Sequence, residues 1–265
     1  NFINLKKIHY AVETDRALPQ VPTKSLDEKV RRISKFASQL IDDGATIQIG
    51  IGKLSEAVLE ELHDRRWLGV HSGLLSEGIV DLIKCGAVDN SRKGLKNGKT
   101  VTTTIIGTDK LFKFADRNKS LESYPCDYTH HQVTLSRINA LHAINSAIQV
   151  DLTGQINAET MGSLQVSGVG GQTDFICGAA LSKGGKSIIV ISSSSSDGKV
   201  SKIVPFLDRG AAVTSLRHDV DYVVSEYGIA CLKGKTLNQR AKALINIAHP
   251  KFMEWLEVER SKLFP

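Results

Sequence analysis

The sequence predicts an α/β fold, with a mostly parallel open sheet covered by helices on both faces. Three observations carry this. Short apolar runs of strand length alternate with stretches of helical periodicity. A glycine turn, Gly50-Ile51-Gly52, falls where a strand hands over to a helix. From residue 45 to residue 84 the order is strand, glycine loop, helix, strand, helix, the unit from which parallel sheets are built.

In chain order, residues 1–24 read as a connecting segment, with Pro19, Pro22 and little apolar periodicity. Ser25 and Glu28 have the spacing of a capping box. Leu26, Val30, Ile33, Ala37, Leu40 and Ile41 then form one helical face, which Asp42-Asp43-Gly44 ends. A strand over 45–49 precedes the glycine turn, and Leu54, Val58 and Leu62 mark a helix over 54–62. Residues 68–71 read as a strand and 75–84 as a helix. Further strands are expected at 100–106, 142–150, 187–191, 211–214 and 221–224. Thr236 to Ala248 is an amphipathic helix, Pro250 interrupts it, and a last helix runs on to Leu263.

With 265 residues, the chain can bury one large core or two small ones. No apolar run reaches the ~20 residues a membrane-spanning helix needs, which argues against membrane insertion. The net charge of +6 is spread along the chain rather than gathered in a block, which suits a small anion better than nucleic acid. Cys85, Cys126, Cys177 and Cys231 form no C-x-x-C and read as free thiols in a reducing cytoplasm. The chain starts at Asn1 without an initiator Met, so a fragment, a processed form or a missing front half is expected.

Gly50-Ile51-Gly52 lets backbone N–H groups approach an anion at a helix N-terminus, but reads equally as tight packing. It lacks the third glycine of a dinucleotide fingerprint, and no P-loop pattern occurs. In Ser167-Gly168-Val169-Gly170-Gly171-Gln172-Thr173-Asp174-Phe175, three glycines in four residues expose successive N–H groups as an anion nest or oxyanion hole, and Thr173 is placed to cap the next helix. Asn145 reads as a carboxylate-orienting amide or as a strand edge, and Asp151 as a turn former. His130-His131 invites a metal, but adjacent residues rarely face one ion and no further ligand spacing supports it. Ser72 lies off the register of a nucleophile elbow. Ser192–Ser196 reads as a solvated loop, with phosphate contact as the alternative. Lys183, Lys186, Lys199 and Lys202 are open to phosphates or simply to solvent.

Several strings together resemble one family. Thr46-Ile-Gln-Ile-Gly-Ile-Gly52, Leu68-Gly-Val-His-Ser-Gly-Leu-Leu-Ser-Glu-Gly78, Ile144-Asn-Ser-Ala-Ile-Gln-Val-Asp-Leu-Thr-Gly-Gln155 and Gly168-Val-Gly-Gly-Gln-Thr-Asp-Phe175 follow in order. Ala179–Lys186, Glu226–Ala230 and Ile247–Pro250 continue the series, so the likeness covers roughly residues 25–260. The chain resembles the acetyl-CoA hydrolase/transferase family of class I CoA-transferases, which includes the 4-hydroxybutyrate CoA-transferases. That resemblance implies the C-terminal domain of a CoA-transferase-type α/β fold over 25–265, with 1–24 a linker or a remnant of a preceding domain. It implies coenzyme A contacts at Gly50, Ile51, Gly52, Lys53, Leu54, Asn145, Gly168, Gly170, Gly171, Gln172 and Lys186.

In the family the second element ends in His-Ser-Glu, and the Glu attacks the acyl-CoA thioester through covalent intermediates. Here the string is His71-Ser72-Gly73, so Gly73 stands at the nucleophile position without a carboxylate. Glu77 matches a helix-start Asp of the family and would serve as a displaced nucleophile only if the turn were reshaped. The implied activity is exchange of CoA between an acyl-CoA and a small carboxylate. The alternatives are a divergent acyl-CoA hydrolase or a non-catalytic CoA-binding subunit, with a sugar-phosphate isomerase on the same broad fold further off. Coenzyme A as substrate, no metal, no nucleic acid, a homo-oligomer or a missing N-terminal half, and a cytoplasmic location complete the expectations.

Overall fold

A computed structural model describes residues 3–22 and 26–265. At its centre are six strands: β1 (Thr46–Ile49), β2 (Gly69–Val70), β3 (Leu141–Ser146), β4 (Lys186–Val190), β5 (Tyr222–Ser225) and β6 (Gly228–Cys231). Their spatial order is β6-β5-β4-β3-β1-β2, parallel throughout except for the antiparallel edge strand β6. β1 pairs with β2 on one side and β3 on the other, with Thr46 opposite both Gly69 and Leu141. The strand order therefore reverses between β1 and β3. An open α/β sheet has its crevice at such a point, outside the carboxyl ends of the strands.

Two cores explain why β3, β4 and β5 read as apolar runs rather than as alternating patterns. Ile47, Ile49, Ile188 and Val190 pack with α1 (Glu28–Ser38), α2 (Lys53–Glu60) and α3 (Glu77–Lys84) on one face. Ala143, Ile189 and Val223 pack on the other face with α4 (Gln172–Leu181), α5 (Leu237–Ile245) and α6 (Pro250–Leu263). Thus the expected mostly parallel sheet with helices on both faces is what the chain forms.

Several local expectations change. Ser25 lies outside the described residues, and the N-cap of α1 is Asp27, whose carboxylate accepts from the Val30 N–H at 2.9 Å. Leu75 belongs to a short strand, Leu74–Leu75, paired with Thr104–Ile105, so α3 starts at Glu77. The stretch 100–106 is split, because Thr100–Thr102 pairs instead with Leu121–Ser123. Likewise 142–150 breaks after Ser146, and Gln149–Asp151 joins a separate small sheet. Residues 211–214 form no strand. Thr214 instead spends its hydroxyl on Ala158 N–H and Glu159, and only Ser215 bridges to Ile156. Thr236 caps α5 in a full capping box with Gln239, and Pro250 opens α6 at its first turn.

The serine run is partly interior rather than solvated. Ser193 donates from its N–H and hydroxyl to the Glu226 carboxylate at 2.9 and 2.8 Å, and Ser194 is buried. No described helix is long and apolar enough to cross a membrane.

Candidate active-site cleft

A cleft of about 290 Å³ opens at the reversal between β1 and β3. Gly50 and Ile51 line it from the end of β1, Asn145 and Ser146 from the end of β3, and Gly73 from the turn after β2. The loop 167–171 and Gln172 close it from the α4 side. Both glycine loops thus face one cleft.

The floor is a buried amide pair. Gln48 Nε2 donates to Asn145 Oδ1 at 3.2 Å, and Asn145 Nδ2 donates to Gln48 Oε1 at 2.9 Å. Each amide keeps one N–H and one lone pair for other partners. Gly50 is glycine because this pair passes close by. A Cβ there would lie 2.6 Å from Asn145 Oδ1. The Gly50 N–H itself is spent on Ile144 C=O at 2.8 Å, so it is not a ligand donor.

The wall near α4 is richer in donors. Gly171 is the N-cap of α4, and no side chain caps that helix. Thr173 is turned away, donating to Thr214 C=O at 2.7 Å, which corrects the expectation that it would cap. The first-turn N–H groups of α4 therefore stay open beside the cleft, where the helix end adds positive potential. Gly170 holds φ +56°, a conformation that favours glycine.

The remaining expected residues fall elsewhere. Gly52, Lys53 and Leu54 do not line the cleft. Gly52 is the N-cap of α2, Lys53 pairs with Asp27 at 2.9 Å, and Leu54 packs against the core. Lys186 is at the amino end of β4, away from the crevice, bound to Leu40 C=O at 2.9 Å and Asp42 at 2.5 Å. Glu77 accepts hydrogen bonds from the N–H and hydroxyl of Thr108 and does not line the cleft. The Ser72 hydroxyl is buried, accepting from Ile49 N–H at 3.2 Å and donating to Ile49 C=O at 3.3 Å, so it stitches the turn to β1. Asp151 accepts from Thr153 and Gln155 and closes its own turn.

Gly73 is not in the left-handed region, and its surroundings are specific. A Cβ there would lie 2.9 Å from His130 Nε2, and one on Gly171 would lie 2.5 Å from the same atom. The His130 ring occupies the space both missing side chains leave, tilted against Phe175 at a centroid distance of 4.7 Å. Its Nδ1 is paired with Thr129 Oγ1 at 2.8 Å, and Thr129 Oγ1 also contacts the Thr103 hydroxyl. Burial holds the His130 pKa below the usual range, with Asp174 acting against it. Behind it, buried His71 bonds through Nε2 to Thr129 C=O at 2.9 Å. A carbonyl only accepts, so that nitrogen carries the proton. Desolvation pushes the His71 pKa down to about 4, which keeps the ring neutral.

As adjacent residues, His130-His131 suggest a metal pair and nothing else. The structure separates them: His130 enters the cleft, while His131 caps the helix Gln132–Ser136 by accepting from Val133 N–H at 3.3 Å. Glu56 was also unforeseen. Its carboxyl, buried on α2 and away from the cleft lining, is raised to about 7 by desolvation.

Comparison with known proteins agrees with this architecture. Residues 107–260 match the acetyl-CoA hydrolase/transferase C-terminal domain. The chain is 48% identical, over its whole length, to a 4-hydroxybutyrate coenzyme A transferase of Clostridium kluyveri, of which it covers 62%. It is 41% identical to a succinyl-CoA:cyclohexane-1-carboxylate CoA transferase of Geobacter metallireducens, over 94% of this chain and 57% of that one. A crystal structure of 4-hydroxybutyrate CoA-transferase from Porphyromonas gingivalis superimposes with a TM-score of 0.86 at 36% identity, over 99% of this chain and 62% of that one. The chain thus spans less than two thirds of the length of these relatives.

Proposed function

The chain belongs to the acetyl-CoA hydrolase/transferase family by its C-terminal domain, and from that premise we propose that its cleft binds an acyl-CoA and moves CoA between that acyl-CoA and a small carboxylate. The observation that carries this is the convergence of the two glycine loops on one crevice, with the uncapped N-terminus of α4 in its wall. Those N–H groups suit the oxyanion that forms when a thioester carbonyl is attacked. Residues 25–265 act as the C-terminal half of a longer two-domain protein or pack against a second copy, in the cytoplasm, with no metal in the chemistry.

One observation favours a second reading, acyl-CoA hydrolysis. No Asp or Glu is among the residues lining the cleft. With Gly73 at the place of the family's glutamate, no protein carboxylate is on hand to form the acyl-enzyme anhydride. The attacking group is then the acceptor carboxylate itself, giving a mixed anhydride that CoA thiolate reopens, or it is water, giving free acid and CoA.

The test is to incubate full-length protein with an acyl-CoA and labelled acetate, following label in acetyl-CoA and free thiol in parallel. Label in acetyl-CoA without net thiol release supports transfer, and thiol release without label supports hydrolysis. Neither, in folded protein that binds CoA, leaves only a binding role.

A further inference from the structure

We propose that His130 is the catalytic base of the cleft, with Nε2 activating a water for attack on the acyl-CoA thioester in the space that Gly73 leaves open. This rests on the hydrolysis reading above and goes beyond it by naming the residue that replaces a nucleophilic carboxylate.

Three features place the imidazole for the task. First, Nε2 is in the slot between Gly73 and Gly171, with hypothetical Cβ atoms of the two glycines at 2.9 and 2.5 Å from it. Side chains at either position would expel the ring, so the two glycines and the histidine form one steric unit. Second, the ring is oriented. Nδ1 is held by Thr129 Oγ1 at 2.8 Å, the Thr129 carbonyl is held by His71, and Phe175 packs on the ring. With the proton on Nδ1, the Nε2 lone pair is free, and no protein group among the described residues hydrogen-bonds to it. Third, Gly171 is also the N-cap of α4. The base therefore adjoins open N–H donors, which is the pairing that acyl-group hydrolysis requires.

The step balances without any further reactant. Water oxygen bonds to the thioester carbon as Nε2 takes a water proton, and the carbonyl electron pair moves to oxygen beside the α4 N-terminus. The tetrahedral intermediate collapses, the C–S bond breaks, and Nε2–H returns its proton to the CoA sulfur. The products are the free acid and CoA. The charged groups that bear on the ring are Asp174 from α4 and His71 behind Thr129, the latter neutral. Gly73, Gly171 and Phe175, which adjoin the ring, carry no charge.

The experiment measures CoA release from acetyl-CoA and butyryl-CoA by full-length wild type, His130→Asn and His130→Ala, across pH 4–9. CoA binding is measured in parallel by calorimetry to show that the site is intact. Loss of a general base lowers kcat by about 10²–10⁴-fold, with KM and CoA affinity within a few-fold of wild type. The acid limb of the wild-type pH profile disappears in both variants, and added imidazole restores release in His130→Ala. If wild type releases CoA and the variants match it, acid limb included, the assignment of His130 is overturned while the hydrolysis reading stands. If wild type binds acyl-CoA and releases no thiol, the hydrolysis reading fails and takes the assignment with it.

Discussion

Gly50 and Asn145 are locked in register across β1 and β3: a Cβ on Gly50 would lie 2.6 Å from Asn145 Oδ1 and 3.3 Å from its Cα. The second contact is to backbone and does not yield by a rotamer change. Gly50→Ala therefore disrupts the Gln48–Asn145 amide pair and strains two neighbouring strands. The expected cost is about 1–3 kcal/mol, read as a lower denaturation midpoint. Gly168→Ala is the control. Nothing lies within 4 Å of a Cβ there and its φ is not positive, so stability changes by no more than about 0.5 kcal/mol. Weakened CoA binding in Gly168→Ala then reports on the ligand and not on the fold.

Gly73→Glu meets a side chain, not a forbidden backbone. Gly73 is outside the positive-φ glycines, and the obstacle is the His130 ring. The single variant is therefore less stable than wild type, and Gly73→Glu with His130→Ala recovers stability by vacating the slot. Thermal melts of the two variants check this, with the double variant expected to melt higher. CoA exchange with acetate is expected to rise in the double variant, which places a carboxylate between the two glycine loops, while hydrolysis that depends on His130 falls.

Acid lability follows from two buried histidines. His71 and His142 both have folded pKa values of about 4, lowered chiefly by desolvation, against an ordinary value of 6.5. Between those limits the unfolded chain binds protons that the folded chain does not. The stabilisation is therefore whole above about pH 6.5 and is lost as pH falls toward 4, by up to ~1.4 kcal/mol per pH unit for each fully titrating group. Urea unfolding at pH 7, 5.5 and 4.5 measures the slope. His142→Gln is expected to reduce it, and an unchanged slope would remove His142 from the account.

Lys93 acts in an alkaline window. Its ammonium is buried against the carbonyls of Val70 and Lys99, and desolvation lowers its pKa from 10.5 to about 7. Across that interval the folded chain has lost the proton and the unfolded chain keeps it, so stability rises with pH from about 7 to 10.5. Lys93→Met is expected to flatten that rise in denaturant titrations at pH 7, 8.5 and 10. A variant as pH-dependent as wild type would contradict it.

The parallel sheet was legible because β3, β4 and β5 put apolar residues into both cores and glycine or helix signals separate the strands. The cleft loops were legible because Gly50 and Gly168–Gly171 are clustered glycines at strand or helix ends. Other features were not. Thr173 has the local chemistry of a cap, yet Thr214, distant in sequence, claims its hydroxyl. Residues 211–214 have strand composition but no partner edge, because Thr214 and Ser215 are engaged with Ile156 and Ala158. Lys53, which the resemblance implies as a coenzyme A contact, pairs with Asp27 across the start of α1, a partner no local motif announces. His130 was least visible, since its position depends on Gly73 and Gly171, which lie 57 and 41 residues away. Only the packing of the β2 turn and α4 on the segment before β3 brings the three together.

The measurement closest to the central claim is a trapping experiment on the intact protein with acyl-CoA. A cleft that works without a protein carboxylate forms no glutamyl-CoA thioester and no acyl-glutamyl anhydride. After incubation with acyl-CoA, then borohydride or hydroxylamine, peptide mass analysis is expected to show residues 71–80 unmodified, while free CoA or exchanged acyl-CoA accumulates. A reduced or hydroxamate-modified Glu77 in the same sample would contradict the account. It would restore a covalent carboxylate mechanism and require Glu77 to leave Thr108 and enter the cleft.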